Sequence, residues 1–407
     1  MKILFITDNF PPEFNAPAAR VYEHVREWVK KGVEVTVITC FPNFPFGKVF
    51  DGYKNKLYQV ENIDGIKIIR VWSYITANKG TFKRTLDFLS FAFTSFIAGL
   101  FVKADIIIAT SPQFFTTWSA YLLSKIKRKP WVFELRDLWP ESIKAVGAFK
   151  SEKLIKFLEK IELALYKDAN VIVAVTEAFK RNLISRGIDG DKIKIIPNGA
   201  NLELFSERAK DQELLEKLNL KGKFVVGYIG THGMAHGLDF IVKCASKVMD
   251  DKIHFLFIGD GAEKQHIVNL AKKLHLKNVT FLDPVDKKAV PQYLSVIDIA
   301  LVPLKKTETF KTVIPSKIFE ASAMGKPVLL GVDGQARELI EKYKCGLFYE
   351  PENEEDFLKK LLLIKNDVKL YKKLQEGCKK LAEDFDRKRW AVEMLDILKN
   401  LCKKESS

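Results

Sequence analysis

Cysteine is scarce in this sequence: five residues in 407, at positions 40, 244, 345, 378 and 402, with no CxxC pair among them. The odd count and the scatter exclude a disulfide framework and the common zinc-ligand spacings, and they suit a reducing cytoplasm. No GxxxxGK[ST] loop and no GxGxxG fingerprint occurs, so neither a Walker site nor a dinucleotide site is indicated. Internal repeats and low-complexity tracts are absent too. No apolar run reaches the roughly 20 residues that a helix needs to cross a bilayer. The stretch Phe88–Val102 is uncharged and rich in Phe, Leu and Ile, with Lys83, Arg84 and Asp87 before it and Lys103 after it. At that length it reads either as a core helix or as an interfacial one lying on a membrane. Met1–Asp8 reads as a buried strand entering a loop, and no small-residue cleavage site follows, so no signal peptide is expected.

What the chain has in excess is positive charge. A formal +15 with 47% hydrophobic residues predicts two or three packed domains with anionic partners: nucleic acid, phosphorylated small molecules or an acidic lipid surface. Aromatic residues interleaved with a basic stripe are not evident, which argues against nucleic acid.

Short apolar runs alternate with amphipathic segments: Ile3–Ile6, a helix near Ala18–Lys31, Glu34–Thr39, Ile66–Trp72, Ile106–Ala109, Trp131–Leu135 and Val171–Val175. After a charged, weakly apolar stretch between Gly199 and Lys221, read as a connector, the pattern restarts. It runs through Phe224–Gly230, a helix at Leu238–Met249, Ile253–Gly259, Val279–Leu282, Ile299–Pro303 and Pro327–Leu330. Strand–helix alternation of this kind predicts an α/β fold of two doubly wound domains, residues 1–200 and 201–384, facing across a cleft, with ligands at the carboxyl ends of the strands. Residues 385–407, with Trp390, Val392, Leu395 and Leu398 at helical spacing, predict a terminal helix returning to the first domain.

The segment Ile314-Pro-Ser-Lys-Ile-Phe-Glu320 carries the sharpest chemistry. Pro315 and Ser316 read as a helix start with Ser316 as its cap, and Lys317 and Glu320 fall on one face. A lysine can neutralise a phosphate there, and a carboxylate one turn on can accept both hydroxyl hydrogens of a ribose. Gly230-Thr231-His232-Gly233 through His236 can wrap a diphosphate with amides and an imidazole donor. Histidines 232 and 236 stand four apart, but the glycines between and around them favour a loop, and no metal is expected. Gly259 and Asp260 follow a buried strand and can approach the same ligand. Lys305, Lys306, Lys311 and Glu338 are secondary candidates around this pocket. In the first half, the proline-bearing loop after Asp8 places Asn15, Ala16 and Arg20 at a sheet edge where phosphates bind. Glu134-Leu-Arg-Asp-Leu-Trp-Pro-Glu141 gathers four ionisable groups beyond an apolar strand. Asp137 or Glu141 can take a proton from an acceptor hydroxyl, with Asp137 preferred, and Arg136 can hold a phosphate or fix a carboxylate.

With these motifs in this order, the chain resembles the family 4 retaining glycosyltransferases of the GT-B fold, nearly end to end. The Pro-Pro-Glu loop, Arg136-Asp-Leu-Trp-Pro-Glu-Ser142, Pro197-Asn-Gly199 and Pro315-Ser-Lys-Ile-Phe-Glu-Ala321 look most like the transferases of L-fucosamine and N-acetylfucosamine in O-antigen and capsule assembly. The resemblance implies a UDP-sugar as donor substrate, no cofactor, a polyprenyl-diphosphate-linked acceptor and a cytoplasmic enzyme lying peripherally on the inner face of the cell membrane. It places the diphosphate at Lys317 and the donor ribose at Glu320. Three positions depart from the wider family pattern: Thr312 stands where a first carboxylate is usual, His236 where a basic residue is usual, and Arg136 where a histidine is usual. A nucleotide-sugar epimerase of the same fold and a basic nucleic-acid-binding protein are the rival readings.

Overall fold

The protein is described from a computed structural model over residues 1–13, 15–44, 47–76, 81–111, 113–138 and 152–404. The chain forms two compact units, Met1–Pro197 with Arg387–Ser407, and Asn198–Asp386. Among the described residues no helix is long and apolar enough to cross a membrane.

Unit 1 is built on strands β1 (Lys2–Ile6), β2 (Glu34–Cys40), β3 (Tyr58–Ile63), β4 (Ile66–Val71), β5 (Ile106–Thr110), β6 (Trp131–Leu135), β7 (Val171–Ala174) and β8 (Ile193–Ile195). They line up as β3-β4-β2-β1-β5-β6-β7-β8, all parallel except β3, which pairs antiparallel with β4. Helices α1 (Ala16–Lys30), α2 (Thr81–Leu100), α3 (Thr116–Lys127), α4 (Glu152–Asp168) and α5 (Glu177–Ser185) connect them. Apart from the edge strands β3 and β8, the strands are mostly apolar because both sheet faces are covered. In β1, Leu4 and Ile6 enter one core cluster while Ile3 and Phe5 enter the other. The order reverses between β1 and β5, the switch point where a doubly wound sheet opens a crevice at its strand ends.

Unit 2 contains β9 (Phe224–Ile229), β10 (Ile253–Ile258), β11 (Val279–Leu282), β12 (Ile299–Pro303), β13 (Val328–Gly331) and β14 (Gly346–Phe348). Its sheet is wholly parallel in the order β11-β10-β9-β12-β13-β14, so its switch point lies between β9 and β12. Its helices are α6 (Gln212–Lys217), α7 (Leu238–Ala245), α8 (Lys264–Lys273), α9 (Val290–Val296), α10 (Lys317–Ala323), α11 (Gln335–Tyr343), α12 (Glu354–Asn366) and α13 (Val368–Asp384). The stretch read as a connector is part of this unit. Phe205, Leu214, Leu215 and Leu220 are buried in its core, apolar anchors thinly spread among charges. The edge strand β3 and the three-residue β8 have no counterpart in the sequence reading: β3 buries only every second residue, in part, and β8 is too short to show a period.

The final helix, Arg387–Lys404, packs on α1 within unit 1. The α1 helix starts where Asn15 Oδ1 accepts from the Ala18 amide at 2.9 Å, with Pro17 in its first turn. Its buried Val21, Val25 and Trp28 meet Met394, Leu395 and Leu398. Trp28 Nε1 donates to the Ala391 carbonyl at 2.7 Å, and Arg387 pairs with Glu23 at 2.7 Å. All six tryptophans of the sequence belong to unit 1, so tryptophan fluorescence follows that unit alone. Leu395→Ala leaves a cavity against α1 and is expected to destabilise unit 1 by ~2–5 kcal/mol, read as a lowered urea midpoint in tryptophan emission.

Candidate functional site

In unit 2, β9 ends at the switch point and the chain turns at Gly230, whose φ of +145° favours glycine. The Lys317 side chain lies against this turn. A Cβ on Gly230 would sit 2.5 Å from Lys317 Cε and 2.7 Å from its Nζ. The ammonium stands 5.0 Å from the Tyr228 ring centroid, a cation–π contact. It makes no hydrogen bond or ion pair among the described residues. Burial lowers the Lys317 pKa to about 8; Glu320 acts against that shift and Lys287 adds to it. The group is thus still a cation at neutral pH. One turn along α10, Glu320 Oε1 accepts from Lys287 Nζ at 2.5 Å, and Lys287 also lies 4.8 Å from the Phe205 ring centroid. Lys287 was invisible to sequence reasoning because its partner is 33 residues away and no motif surrounds it. A cavity of about 20 Å³ behind Lys317 and Glu320 has room for a water, not for a sugar.

The loops after β9 and β10 lie backbone to backbone. A Cβ on Gly259 would fall 1.9 Å from the Gly230 carbonyl oxygen, and one on Gly261 would fall 2.5 Å from that of His232. The His232 amide donates to the Asp260 carbonyl at 2.8 Å, the Glu263 amide to the His232 carbonyl at 2.9 Å, and Asp260 Oδ1 accepts from the Gly261 amide at 2.8 Å. Thr231 is exposed, and its carbonyl accepts from the Tyr228 hydroxyl at 2.6 Å. His232 is fully buried, and neither of its ring nitrogens finds a partner among the described residues; Nδ1 of His236 is likewise unpartnered. Burial drives the His232 pKa to about 4 and that of His236 to about 3, with Lys317 pushing the same way. Both imidazoles are therefore neutral near pH 7, and His236 does not supply the positive charge expected from its place in the turn. No group of three metal-ligating side chains gathers among the described residues.

Other expectations need revision. Ser316 does not cap α10 with its side chain, since it already has α-region dihedrals (φ −59°, ψ −23°); Ile314 and Pro315 lead into it partly buried. Gly233 precedes a single 3-10 turn, Met234–His236. Lys306 and Lys311 pair with Glu350 and Glu308 at the surface, and Glu338 accepts from Gln335.

Asn15, Ala16 and Arg20, expected at the donor, all lie in unit 1. Asn15 serves as the cap of α1 and donates to Asn9 Oδ1 at 2.5 Å, and Ala16 is exposed in its first turn. Arg20 is 1% exposed, and its guanidinium is used internally. It pairs with Glu134 Oε1 at 2.8 Å and donates to the carbonyls of Pro197 and Ile196 at 2.7 and 2.8 Å. Burial alone would raise the Glu134 carboxyl, but Arg20 and Arg136 hold it below its ordinary value. Arg136 follows β6, with its amide donating to Ser111 Oγ at 2.9 Å. Its Nε and Nη1 find no acceptor among the described residues, a geometry that leaves two donors for an anion. Burial, then Arg20, lowers its pKa to about 9, so the guanidinium keeps its charge. Asp137 is partly buried beside it, and Glu141 lies outside the described residues.

Two carboxylates of this edge were not singled out from sequence. Asp8, just past β1, has an Oδ1 with no partner among the described residues and a pKa raised by burial. Glu13 is 3% exposed, accepts from the Asn43 and Phe44 amides at 2.8 and 2.9 Å, and is raised by burial to about 7.

Known proteins share this architecture. Residues 18–204 match Glycosyltransferase Family 4, and residues 210–381 match Glycosyl transferases group 1. A protein of Escherichia coli K12, named provisionally as a glycosyl transferase of colanic acid biosynthesis, is 25% identical over 367 residues, covering 87% of this chain and 90% of its own. A Campylobacter jejuni enzyme is 24% identical over 235 residues, 58% of this chain and 61% of its own. Its name is N-acetylgalactosamine-N,N'-diacetylbacillosaminyl-diphospho-undecaprenol 4-alpha-N-acetylgalactosaminyltransferase. HepE from Anabaena, solved in complex with UDP and glucose, superposes with a TM-score of 0.73 at 18% identity, covering 98% of this chain and all of the other. With two doubly wound units of the GT-B type and family matches on both, the chain belongs to the glycosyltransferases that join a family 4 domain to a group 1 domain.

Proposed function

We propose that the protein transfers a sugar from a UDP-sugar to a hydroxyl of a lipid-linked glycan during assembly of a surface polysaccharide, retaining the anomeric configuration and using no metal ion. The observation that carries this reading is Lys317: a partly buried ammonium at the unit 2 switch point, held on a glycine turn, with no carboxylate or carbonyl partner among the described residues. A diphosphate would fill that gap, and Glu320 one turn on suits the ribose. The favoured sugar is an N-acetylated amino sugar such as N-acetylfucosamine, from the motif resemblance; the Campylobacter relative, by its name, also transfers an N-acetylated amino sugar. That relative's name, with its diphospho-undecaprenol acceptor, supports a polyprenyl-diphosphate-linked acceptor, and the colanic acid relative supports a surface polysaccharide. An acceptor of that kind is met at the inner face of the cell membrane.

In this mechanism the bond between the anomeric carbon and the diphosphate oxygen breaks, and its electron pair stays on the diphosphate. The acceptor oxygen bonds to the anomeric carbon on the same face, since no carboxylate is a firm candidate for a nucleophile beneath it. The acceptor proton passes to a carboxylate of unit 1, with Asp137 favoured over Glu141, or to the departing phosphate. Negative charge on the diphosphate is greatest as the bond breaks, so Lys317 stabilises the transition state more than the ground state. Arg136 would orient an anionic group of the bound substrates.

A thermal-shift panel of nucleotides and nucleotide sugars tests the reading. A true donor at 100 times its Kd raises stability by about 2.7 kcal/mol, and silence across UDP and UDP-sugars contradicts it. Free sugar formed without any acceptor would instead favour an epimerase. Lys317→Met is expected to lower kcat/KM for transfer by ~10²–10³-fold. Gly230→Ala displaces the lysine and should weaken UDP binding while leaving the tryptophan-monitored melting of unit 1 unchanged.

The pH dependence has a definite sign. Lys317 titrates at about 8 in the free protein, and a bound diphosphate raises it. UDP affinity is therefore full below about pH 8 and falls about tenfold per pH unit above it. In Lys317→Met that slope disappears, as titration calorimetry at several pH values would show.

A further inference from the structure

The α2 helix inverts the usual arrangement of a surface helix. Its inner face places Phe91, Ser95 and Ala98 in the interior, followed by Val102 just past its end. Its outer face carries Leu86, Leu89, Phe93 and Ile97, continued by Phe101, at spacings of three, four, four and four residues. Their relative exposures are 40, 42, 66, 40 and 84%. A solvated helix face carries polar residues, yet no charge occurs between Asp87 and Lys103.

The neighbouring α3 widens the stripe. Ser119 Oγ donates to the Ala92 carbonyl at 2.6 Å, and Lys127 Nζ donates to that of Leu100 at 2.8 Å. Between them, a Cβ on Gly99 would meet Leu123 Cδ1 at 2.4 Å. These contacts advance together along both helices, so the two run in the same direction and their carboxyl ends coincide. The α3 helix adds Leu122 and Ile126, 44 and 60% exposed.

Cations bracket this apolar face. Lys83 and Arg84 stand at the start of α2; Lys103, Arg128 and Lys129 stand at the shared carboxyl ends. All five are exposed and form no ion pair among the described residues. Asp87 is the only acid in α2, and α3 has none. Two copies meeting through this face would bring like charges together at one end or both, which disfavours self-association. An anionic bilayer satisfies both features at once, taking the aromatic and aliphatic stripe at the acyl boundary and the cations at its phosphates.

We propose that the α2–α3 face of unit 1 docks on an anionic phospholipid bilayer. A lipid-borne acceptor would give the docking its purpose, but the apolar stripe and its cations need no donor in order to bind. The test is co-sedimentation of the full chain with vesicles of equal parts phosphatidylcholine and phosphatidylglycerol, against phosphatidylcholine alone. The wild type is expected to pellet with the anionic vesicles and to be released by salt. Phe93→Ser with Phe101→Ser should weaken binding at least about tenfold. Lys103→Glu with Arg128→Glu and Lys129→Glu should weaken it about a hundredfold. Each variant should keep the wild-type thermal shift with UDP, so a lost UDP shift with retained vesicle binding counts against the donor site and not against this face. The proposal is overturned if the wild type stays in the supernatant, binds neutral vesicles equally well, or loses nothing in either variant. A dimer in sedimentation velocity that the two serines dissociate would overturn it as well, assigning the face to a second copy.

Discussion

An ammonium group with no hydrogen bond or ion pair among the described residues is the constraint on which unit 2 depends. Lys317 is stacked on a glycine and an aromatic ring, where burial costs it much of its basicity without removing its charge. Such a group is expensive unless a ligand repays it. The surrounding backbone is arranged to keep it there: Gly230, Gly259 and Gly261 allow two loops to close to main-chain contact, and side chains at these points would drive them apart. Strand order does the rest, because the reversal between β9 and β12 brings the turn and the start of α10 to one sheet edge.

Unit 1 solves a different problem with similar means. Its buried Arg20–Glu134 pair closes the sheet edge by capturing two carbonyls from the far end of the unit. Removing one partner alone would leave the other's buried charge only partly compensated, by Arg136 for Glu134 or by the two carbonyls for Arg20, and would destabilise the unit. The second guanidinium, Arg136, has two donors without an acceptor among the described residues. Acidic groups at the same edge, Asp8 and Glu13, are pushed toward protonation by burial. The chemistry that unit 1 can offer is thus proton exchange and anion binding, whereas unit 2 offers stabilisation of negative charge.

The sequence discloses the parts whose cause is local. The strands β1, β6 and β12 are legible because burial on both faces makes them continuously apolar, and Lys317 with Glu320 is legible because helical spacing puts them on one side. What sequence hides is long-range. Arg20 reads from sequence as a candidate phosphate contact, but its guanidinium is tied to carbonyls 176 and 177 residues away, which no local pattern announces. Lys287 reaches Glu320 from a loop with no motif. His232 and His236 read as polar donors, and only their burial shows that they carry no charge near neutrality. Ser316 has the right residue type for a cap and the wrong dihedrals. The Phe88–Val102 stretch is ambiguous in sequence because one run of apolar residues supplies two helix faces, and only the fold tells which of them is covered.

The most direct measurement is the crystal structure of the full chain with UDP. The account predicts the diphosphate within hydrogen-bonding distance of Lys317 Nζ and of the amides in the Gly230 turn, with ribose hydroxyls on Glu320. UDP bound anywhere else, or bound with Lys317 Nζ out of reach of its phosphates, would contradict it.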